Sequence, residues 1–496
     1  MRRTRFVVAA LVAMAASLAV HGAEPIAHVQ AGAVRGQQLD DGSTLFRGIP
    51  FAAPPTGKNR WRAPQAVKPW PGVRDATGRA APCMQSSFGW NATDAASSSE
   101  DCLYLDVHTP KLDTTAKLPV MVWIHGGANR AGSAGDYAAS AMVQGGVVLV
   151  AIQYRLDVFG FLSLPELTND SRTRSSGNYA LLDQLAALRW VHDNIAAFGG
   201  DPNQVTLFGQ SAGAQDVGLL MLSPRSKGLF IRAIEESGTA GFGLPSRTLQ
   251  QNEALGAQIL RLASARSAAE LRDMSAQRLL EASLQLDPPQ IEDDSFIWLQ
   301  SIVDGYVLPD TPEHILRSGK QQPVQLMLGT NATEFPMFRG AANARHAVEI
   351  AFGKHSVEAL RAYGIAHDEA VSESLATRIA ADIMFRCPAA FVAATHERAG
   401  HPVFQYEFNV TPVNGGTPIH SSELSYVFGG LALPKNPEVK LQDYWVRFAK
   451  TGDPNPSGEV QWPRFGSSRS YIEFSDTGLT AKQQLGGSIC NFRSAP

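Results

Sequence analysis

VTLFGQSAGA, residues 205–214, places a single serine, Ser211, between two glycines. The apolar residues before it are typical of a buried strand, and residues 212–222 favour a helix. Small neighbours let the backbone turn sharply between the two elements and leave the serine hydroxyl exposed. The stretch therefore predicts a nucleophile on a strand–turn–helix unit. A glycine-rich turn with no functional role would show the same sequence pattern.

The segments on either side of this stretch alternate between strand and helix patterns. Near-continuous apolar runs at 118–124 and 147–154 predict buried strands. Apolar residues then recur at steps of three and four over 178–198, which predicts an amphipathic helix. The sequence predicts further strands at 324–328 and 403–408 and helix-rich insertions at 248–286 and 345–401. We therefore expect an α/β fold, with a mostly parallel central sheet flanked by helices and helical capping insertions.

Composition favours one large domain. Of the 496 residues, 44% are apolar and 18% are charged, a balance that suits a body with much interior and little surface. The formal net charge is −3, and no run of Lys or Arg beyond the first residues could neutralise a phosphate backbone, so we expect no nucleic-acid partner. Large α/β enzymes often form one unit, and we assign residues 24–496 to a single domain.

Residues 1–23 predict a secretory signal peptide. A basic start is followed by an apolar stretch from Phe6 to Val20 and then by small residues. A stretch of about fifteen residues is too short to cross a bilayer comfortably. A buried N-terminal helix is the alternative. We expect cleavage to release a secreted or periplasmic protein with no membrane span.

The chain has four cysteines, an even number that suits disulfides in an exported protein better than metal ligation. Four cysteines allow three pairings. The spacing favours Cys83 with Cys102, which leaves Cys387 with Cys490. Loop-closure entropy predicts about 3 and about 4.7 kcal/mol of stabilisation from these two bridges.

A serine hydroxyl needs a base to take its proton and a carboxylate to orient that base. On a strand–turn–helix scaffold the chain order is serine, acid, histidine. His420 lies in a loop after a late predicted strand and is the best-placed base, although a loop histidine with no role fits this position equally well. Glu334, after the preceding predicted strand, is the candidate acid, with Asp304 and Asp310 in turn-like settings as rivals.

The loop His125-Gly-Gly-Ala128 can supply backbone N–H groups to a negatively charged reaction intermediate. Its glycines have no side chains to block close approach, and Ala212 would add an N–H group from the start of the helix. A glycine turn without a role is the alternative. The combination of this loop with the serine turn argues against that alternative.

An ordered set of motifs resembles the type-B carboxylesterases, a cholinesterase-like family with the α/β-hydrolase fold. The resemblance runs from about residue 36 to residue 492. The motifs are FRGIPFA at 46–52, SEDCLYL at 99–105, VMVWIHGG at 120–127, LDQ at 182–184, FGGDP at 198–202, FGQSAG at 208–213, VDG at 303–305, GTN at 329–331, HSSEL at 420–424 and VFG at 427–429. Such a set is far more specific than the serine motif alone.

The resemblance implies a carboxylic-ester hydrolase that works through an acyl-enzyme intermediate. It implies Ser211 as nucleophile, Glu334 as orienting acid and His420 as base, with oxyanion donors at Gly127, Ala128 and Ala212. It also supports the two disulfides and implies two structural ion pairs, Arg60 with Glu100 and Arg155 with Asp183. The partner is then a small-molecule ester, and no cofactor and no metal ion is implied.

Two residues depart from the family pattern. Ala128 takes the place of a third glycine, which changes the space beside the acyl group but keeps the N–H. Gln210 replaces the glutamate that many relatives have before the serine, which weakens the case for a cationic choline ester because a carboxylate there helps to hold a quaternary ammonium. Trp90 could offer a cation-binding aromatic face, but its spacing to Cys102 differs from that of the cholinesterase tryptophan.

Other functions fit the same residues. A lipase, an amidase or a carbamate hydrolase would use the same machinery, and the shape of the pocket decides among them. A catalytically inactive, cholinesterase-like binding or adhesion module belongs to a different class. Such proteins usually lose the serine or one of its partners, and all three positions are filled in this sequence.

Overall fold

A computed structural model describes residues 24–240, 246–286, 300–334, 341–365, 371–412, 415–429, 439–456, 458 and 460–494. The predicted signal peptide, residues 1–23, lies outside the described residues. The strands are β1 (Ile26–Val29), β2 (Gly32–Arg35), β3 (Gln37–Gln38), β4 (Thr44–Pro50), β5 (Val73–Asp75), β6 (Tyr104–Thr109), β7 (Leu118–Ile124), β8 (Val148–Ile152), β9 (Gly200–Gln210), β10 (Arg232–Glu236), β11 (Gln325–Asn331), β12 (Val403–Asn409), β13 (Ser470–Ser475) and β14 (Gly478–Gln483).

Eleven of these strands form one mixed sheet, in the order β14-β13-β12-β11-β10-β9-β7-β8-β6-β4-β3, and β1, β2 and β5 form a small separate sheet. Every pairing from β8 through β7, β9, β10, β11 and β12 to β13 is parallel. The strands at the two edges are antiparallel. The prediction of a mostly parallel central sheet is confirmed. The carboxyl ends of its parallel strands lie along one edge, where open α/β sheets bind ligands.

Helices flank this sheet and fill the two predicted insertions. They are α1 (Ala92–Ser97), α2 (Asp157–Phe161), α3 (Pro165–Asp170), α4 (Tyr179–Asn194), α5 (Ala212–Leu222), α6 (Leu249–Ala263), α7 (Ala268–Asp273), α8 (Ala276–Leu284), α9 (Pro312–Arg317), α10 (Ala341–Phe352), α11 (Ser356–Ala362), α12 (Glu373–Ala381), α13 (Cys387–Arg398), α14 (Leu424–Phe428), α15 (Leu441–Thr451) and α16 (Gly487–Ser494). No helix within the described ranges is both long and apolar enough to cross a membrane.

The central strands are apolar throughout because both faces of the sheet are covered. In β7, Val120, Val122 and Ile124 pack into one core cluster, while Met121 and Trp123 pack into the cluster on the opposite face. This alternation is the period of two that a strand imposes on its side chains. A run such as LPVMVWI therefore predicts a strand buried on both sides.

Two elements differ most from the sequence prediction. The strand expected at 205–208 begins earlier, at Gly200, because its backbone pairs with Leu118 of β7 through polar residues that a hydrophobic pattern does not detect. The helix expected over 178–198 ends as an α-helix at Asn194 and continues as a tighter 3₁₀ turn to Phe198. Its apolar face nevertheless stays buried, because both helix types keep the stripe on one side.

Candidate active site

Ser211 lies on the turn between β9 and α5. Its backbone has φ 57° and ψ −124°, a strained conformation for a residue with a side chain. The glycines beside it are required by close packing. A Cβ on Gly213 would lie 2.2 Å from the carbonyl oxygen of Ile124, and one on Gly209 would lie 2.7 Å from the backbone of Gly213. The sharp strand-to-helix turn therefore explains why glycines flank this serine.

The main chain of Ser211 is fixed while its hydroxyl stays available. Its N–H donates to the carbonyl oxygen of Glu236 on β10 at 2.8 Å. The side chain is mostly buried, with 8% of its surface exposed. Within the described part of the chain, the Ser211 hydroxyl makes no hydrogen bond. The predicted hydrogen bond between Ser211 and His420 is therefore not formed in this structure.

Glu334 and His420, the predicted acid and base, are in contact. His420 Nδ1 lies 2.6 Å from Glu334 Oε2. The other Glu334 oxygen accepts a hydrogen bond from the Asn331 N–H at 2.9 Å, and the carboxylate is buried. The two residues follow neighbouring parallel strands, β11 and β12, which brings them together at one edge of the sheet. Because an ionised carboxylate only accepts, the proton in this contact lies on Nδ1.

Gln210, the last residue of β9, contacts the other ring nitrogen of the histidine. Its side-chain nitrogen lies 3.2 Å from His420 Nε2. In the sequence, Gln210 was notable only for the negative charge that it lacks. Its place immediately before the serine was the available signal, but a one-dimensional pattern does not give the direction of a side chain.

The loop after β7 closely approaches the serine. A Cβ on Gly126 would lie 3.1 Å from Ser211 Cβ. Gly127, Ala128 and Asn129 follow with φ values of 110°, 56° and 57°, so the chain turns back on itself beside the serine. A Cβ on Gly127 would lie 2.0 Å from the Ala131 carbonyl oxygen, which restricts that position to glycine. The two predicted oxyanion donors of this loop, Gly127 and Ala128, line the same cavity as Ser211.

A buried polar network lies behind this loop. Asn129 Nδ2 donates to Asp216 Oδ1 at 3.4 Å, and Gln184 Nε2 donates to Asp216 Oδ2 at 2.6 Å. Burial raises the pKa of Asp216 to about 7, although these two hydrogen bonds lower it in part. Asp216 was not among the residues predicted from the sequence. Its signal was the polar pair Gln215-Asp216 within the otherwise apolar helix α5.

A second buried carboxyl group, that of Glu423, lies near Glu334. Asn331 Nδ2 donates to Glu423 Oε2 at 2.6 Å. Burial, followed by the negative charge of Glu334, raises the pKa of Glu423 to about 7. Burial also holds the pKa of Glu236 well above its ordinary range, with Glu423 adding to the effect. The carboxyl group nearest the His420 ring is that of Glu334, at 2.6 Å.

A π-helical turn at Asp382–Arg386 contacts both the loop that carries Glu334 and the ring of His420. The Cys387 N–H donates to the Asp382 carbonyl oxygen five residues back, which defines this wide turn. The Phe385 ring lies 5.1 Å from the His420 ring, measured between centroids. Arg386, which is paired with Asp382, donates from Nη2 to the Ala332 carbonyl oxygen at 2.9 Å. The turn thus supports Glu334 and His420 from one side.

Ser211 and His420 line one cavity of about 590 Å³. This volume lies within the range of pockets that bind small molecules. Its other described lining residues include aromatic and charged side chains: Phe88, Trp90, Asp94, Arg130 and Tyr137. Trp90, which the sequence left uncertain, is placed in this wall, and 67% of its surface is exposed. A larger groove of about 920 Å³ lies beside α4 and contains none of the predicted site residues.

The rival acids have other surroundings. Asp304 Oδ1 accepts the backbone N–H groups of Tyr306, Val307 and Leu308, and its second oxygen accepts from Ser175 Oγ. Asp310 is exposed and lies 3.6 Å from His314 one helical turn later. Asp304 therefore stabilises a turn, and Asp310 belongs to the surface.

The predicted cross-links and ion pairs are present. Cys83 is bonded to Cys102, and Cys387 is bonded to Cys490. The Arg60–Glu100 and Arg155–Asp183 pairs have N–O distances of 2.5 and 2.7 Å. Across the ranges that the structure describes, no group of three or more His, Cys, Asp or Glu side chains is arranged to hold a metal ion.

Comparisons with known proteins agree with the resemblance. The model of the carboxylesterase family matches residues 23–493. Carboxylesterase 4A of Bos taurus is 36% identical over 93% of this chain and 93% of its own length. Fumonisin B1 esterase of Sphingopyxis macrogoltabida is 36% identical over 90% of this chain and 86% of its own.

Solved structures give the same result. A PNB esterase superposes with a TM-score of 0.84 at 32% identity, covering 95% of this chain and 100% of the esterase. A carboxylesterase of Geobacillus stearothermophilus superposes with a TM-score of 0.81 at 31% identity, covering 94% and 99% of the two chains.

Proposed function

Because the chain belongs to the carboxylesterase family and is a carboxylic-ester hydrolase, we propose that it is an exported serine esterase that works through an acyl-enzyme. Residues 1–23 are proposed as its signal peptide and residues 24–496 as its single domain. Two disulfides support export, because such bonds persist in oxidising compartments. The substrates are small-molecule esters.

In the first half-reaction, Ser211 Oγ attacks the ester carbonyl carbon and its proton moves to His420 Nε2. Glu334 accepts the Nδ1–H of the same ring, which orients the imidazole and stabilises its positive charge. The N–H groups of Gly127, Ala128 and Ala212 are the proposed donors to the oxyanion. His420 then gives its proton to the leaving alcohol, and Ser211 carries the acyl group.

In the second half-reaction, water replaces the alcohol. His420 Nε2 takes a proton from the water as its oxygen attacks the acyl carbon. The tetrahedral intermediate collapses, His420 returns the proton to Ser211 Oγ, and the free carboxylic acid leaves. The Ser211–His420 hydrogen bond is expected to form as substrate binds, because catalytic hydrogen bonds often tighten only in the complex with substrate.

The observation that carries the proposal is the 2.6 Å contact between Glu334 and His420 in a cavity that also contains Ser211. A buried carboxylate that orients one ring nitrogen leaves the other nitrogen to act as a base. The same carboxylate compensates the positive charge that forms on the ring during the reaction.

Hydrolysis of a nitrophenyl ester tests the proposal directly. We expect Ser211→Ala to reduce turnover to the uncatalysed background and to keep the thermal melt of the parent. Ser374→Ala, which changes an exposed serine on α12, serves as the matched control and should retain full turnover. A serine-directed phosphonate should label the tryptic peptide that carries Ser211. Retained turnover in Ser211→Ala, or labelling at a different serine, would contradict the assignment.

Export has its own test. Expression of the full chain in a bacterial host should release a mature protein that lacks residues 1–23, as read by N-terminal sequencing. A mature protein that keeps residue 1 in an oxidising compartment would contradict the proposed signal peptide.

A further inference from the structure

The side chain of Gln210 lies between Gly126, in the loop after β7, and the ring of His420. It is buried, with 3% of its surface exposed. Its nitrogen lies 3.2 Å from His420 Nε2, and a Cβ on Gly126 would lie 2.9 Å from its Oε1. The Ser211 hydroxyl, in contrast, has no hydrogen bond to any described residue. In the resting site, the nitrogen that must take the serine proton is therefore engaged by Gln210.

The chemistry of an amide fixes the direction of this contact. An amide nitrogen carries hydrogens and only donates, so His420 Nε2 must accept with its lone pair. His420 Nδ1 then carries the ring proton and donates it to Glu334. Gln210 and Glu334 together select the tautomer that a general base needs, since the lone pair on Nε2 is the group that accepts a proton from the serine.

The same contact must reverse during the reaction. Once Nε2 carries a proton it becomes a donor and no longer accepts from the amide nitrogen. A half-turn about the last side-chain bond of Gln210 would present Oε1 to the imidazolium, and rotation about such terminal bonds is loosely restricted. A glutamate at this position could only accept, so it would favour the charged ring and disfavour the neutral one.

We propose that Gln210 is a positioning residue for His420. Its amide donates to Nε2 in the resting enzyme, yields that nitrogen to Ser211 when substrate binds, and accepts from the imidazolium once the proton has moved. The inference rests on the proposed function, because it requires His420 to act as the base. Glutamine in place of the glutamate that many relatives have would then affect the base itself, and not only the binding of cationic substrates.

Other groups also surround the His420 ring. Glu334 contacts Nδ1 from the loop after β11, Glu423 lies just before α14, and the Phe385 ring packs against the imidazole from the π-helical turn. The titratable and charged groups that share the cavity are Asp94, His125, Arg130 and Tyr137. The test therefore changes Gln210 alone and leaves all of these in place.

Three variants of the full chain test the proposal in pH–rate profiles of kcat/KM and kcat. Gln210→Glu places a carboxylate beside the imidazole, and an opposite charge at this range should move the acid limb upward by about 1 to 3 pH units. Gln210→Met keeps the side-chain length but cannot accept from the imidazolium, so kcat should fall by about tenfold or more with little change in KM. Gln37→Glu adds the same charge at an exposed position on β3 and should leave the profile unchanged.

Several outcomes would overturn the proposal. An unshifted acid limb in Gln210→Glu, or an unchanged kcat in Gln210→Met, would show that the contact has no part in the reaction. Thermal melts and titration of active sites with a serine-directed phosphonate identify variants that misfold, and kcat is expressed per labelled site. If the parent enzyme itself fails to hydrolyse esters or to label at Ser211, the proposed function fails. If the parent hydrolyses esters and labels at Ser211 but the Gln210 variants behave like the parent, the proposed function stands and only the inference about Gln210 fails.

Discussion

Replacement of Asp216 by asparagine should shift the balance of stability between variant and parent increasingly in favour of the variant as the pH rises. Asp216 is fully buried in α5, where its oxygens accept from Gln184 at 2.6 Å and Asn129 at 3.4 Å. Burial raises its pKa to about 7 in the folded protein, because a charge there loses its hydration. An unfolded chain has an aspartate pKa of about 3.9. The asparagine variant keeps the shape of the side chain and removes its titration.

The sign and size follow from proton linkage. Between about pH 4 and pH 7 the folded state keeps the Asp216 proton and the unfolded state loses it, so the folded state binds more protons. The free energy of unfolding of the parent therefore falls as the pH rises through this window. Three units of pKa difference at about 1.4 kcal/mol per unit give about 4 kcal/mol in total. From pH 5 to pH 8 about two of these units are crossed, which leaves about 3 kcal/mol.

Urea denaturation at pH 5 and pH 8, with both disulfides intact, measures this effect. We expect the difference in free energy of unfolding between Asp216→Asn and the parent to shift by about 3 kcal/mol in favour of the variant at pH 8. Other buried acids, such as Glu423, titrate equally in both proteins and cancel in the difference. Asp40→Asn controls for the loss of an exposed carboxylate. A difference that stays constant with pH, or that favours the parent at pH 8, would refute the reasoning.

Three further predictions concern the loop, the acid and the second disulfide. Glu334→Gln should lower kcat by about 10⁴-fold in nitrophenyl ester hydrolysis without lowering the thermal melt, and a loss below tenfold would count against its role. Gly126→Ala places a Cβ 2.7 Å from the Gln210 carbonyl oxygen and should lower kcat by about 100- to 1000-fold. Ala128→Gly keeps the backbone N–H, so its kcat should stay near that of the parent. Equal kcat values in the two variants would argue against the loop as an oxyanion donor. The double variant Cys387→Ser, Cys490→Ser opens a loop of 103 residues and should cost up to about 4.7 kcal/mol in urea denaturation; an unchanged midpoint would contradict this.

The fold was predictable where hydrophobic periodicity carried the information. The run at 118–124 became β7 with the expected bounds, and α5 spans the predicted residues 212–222. The start of β9 was not predictable in this way, because Gly200 joins the strand by pairing with Leu118 across the sheet. Such pairing depends on backbone groups that every residue has, and residue type therefore gives no signal.

The candidate site was predictable in its members but not in its contacts. Chain order and strand ends indicated Glu334 and His420, which lie in contact. The engagement of His420 by Gln210 could not be predicted, because two side chains 210 residues apart meet through the packing of the whole sheet. Asp216 and Glu423 were missed because burial, which shifts their pKa values, is a property of the folded chain.

The π-helical turn at Asp382–Arg386 interrupts a regular helix, and this irregularity is what directs its side chains towards the candidate active site. Each residue of an α-helix rotates the chain by about 100°, so removing one residue from this wide turn would restore a regular helix and swing one flank by about that angle against the other. Phe385, Arg386 and Cys387 meet three separate targets on other segments: an imidazole, a main-chain carbonyl and a half-cystine. A deletion that makes this helix more ideal would therefore misdirect all three side chains together.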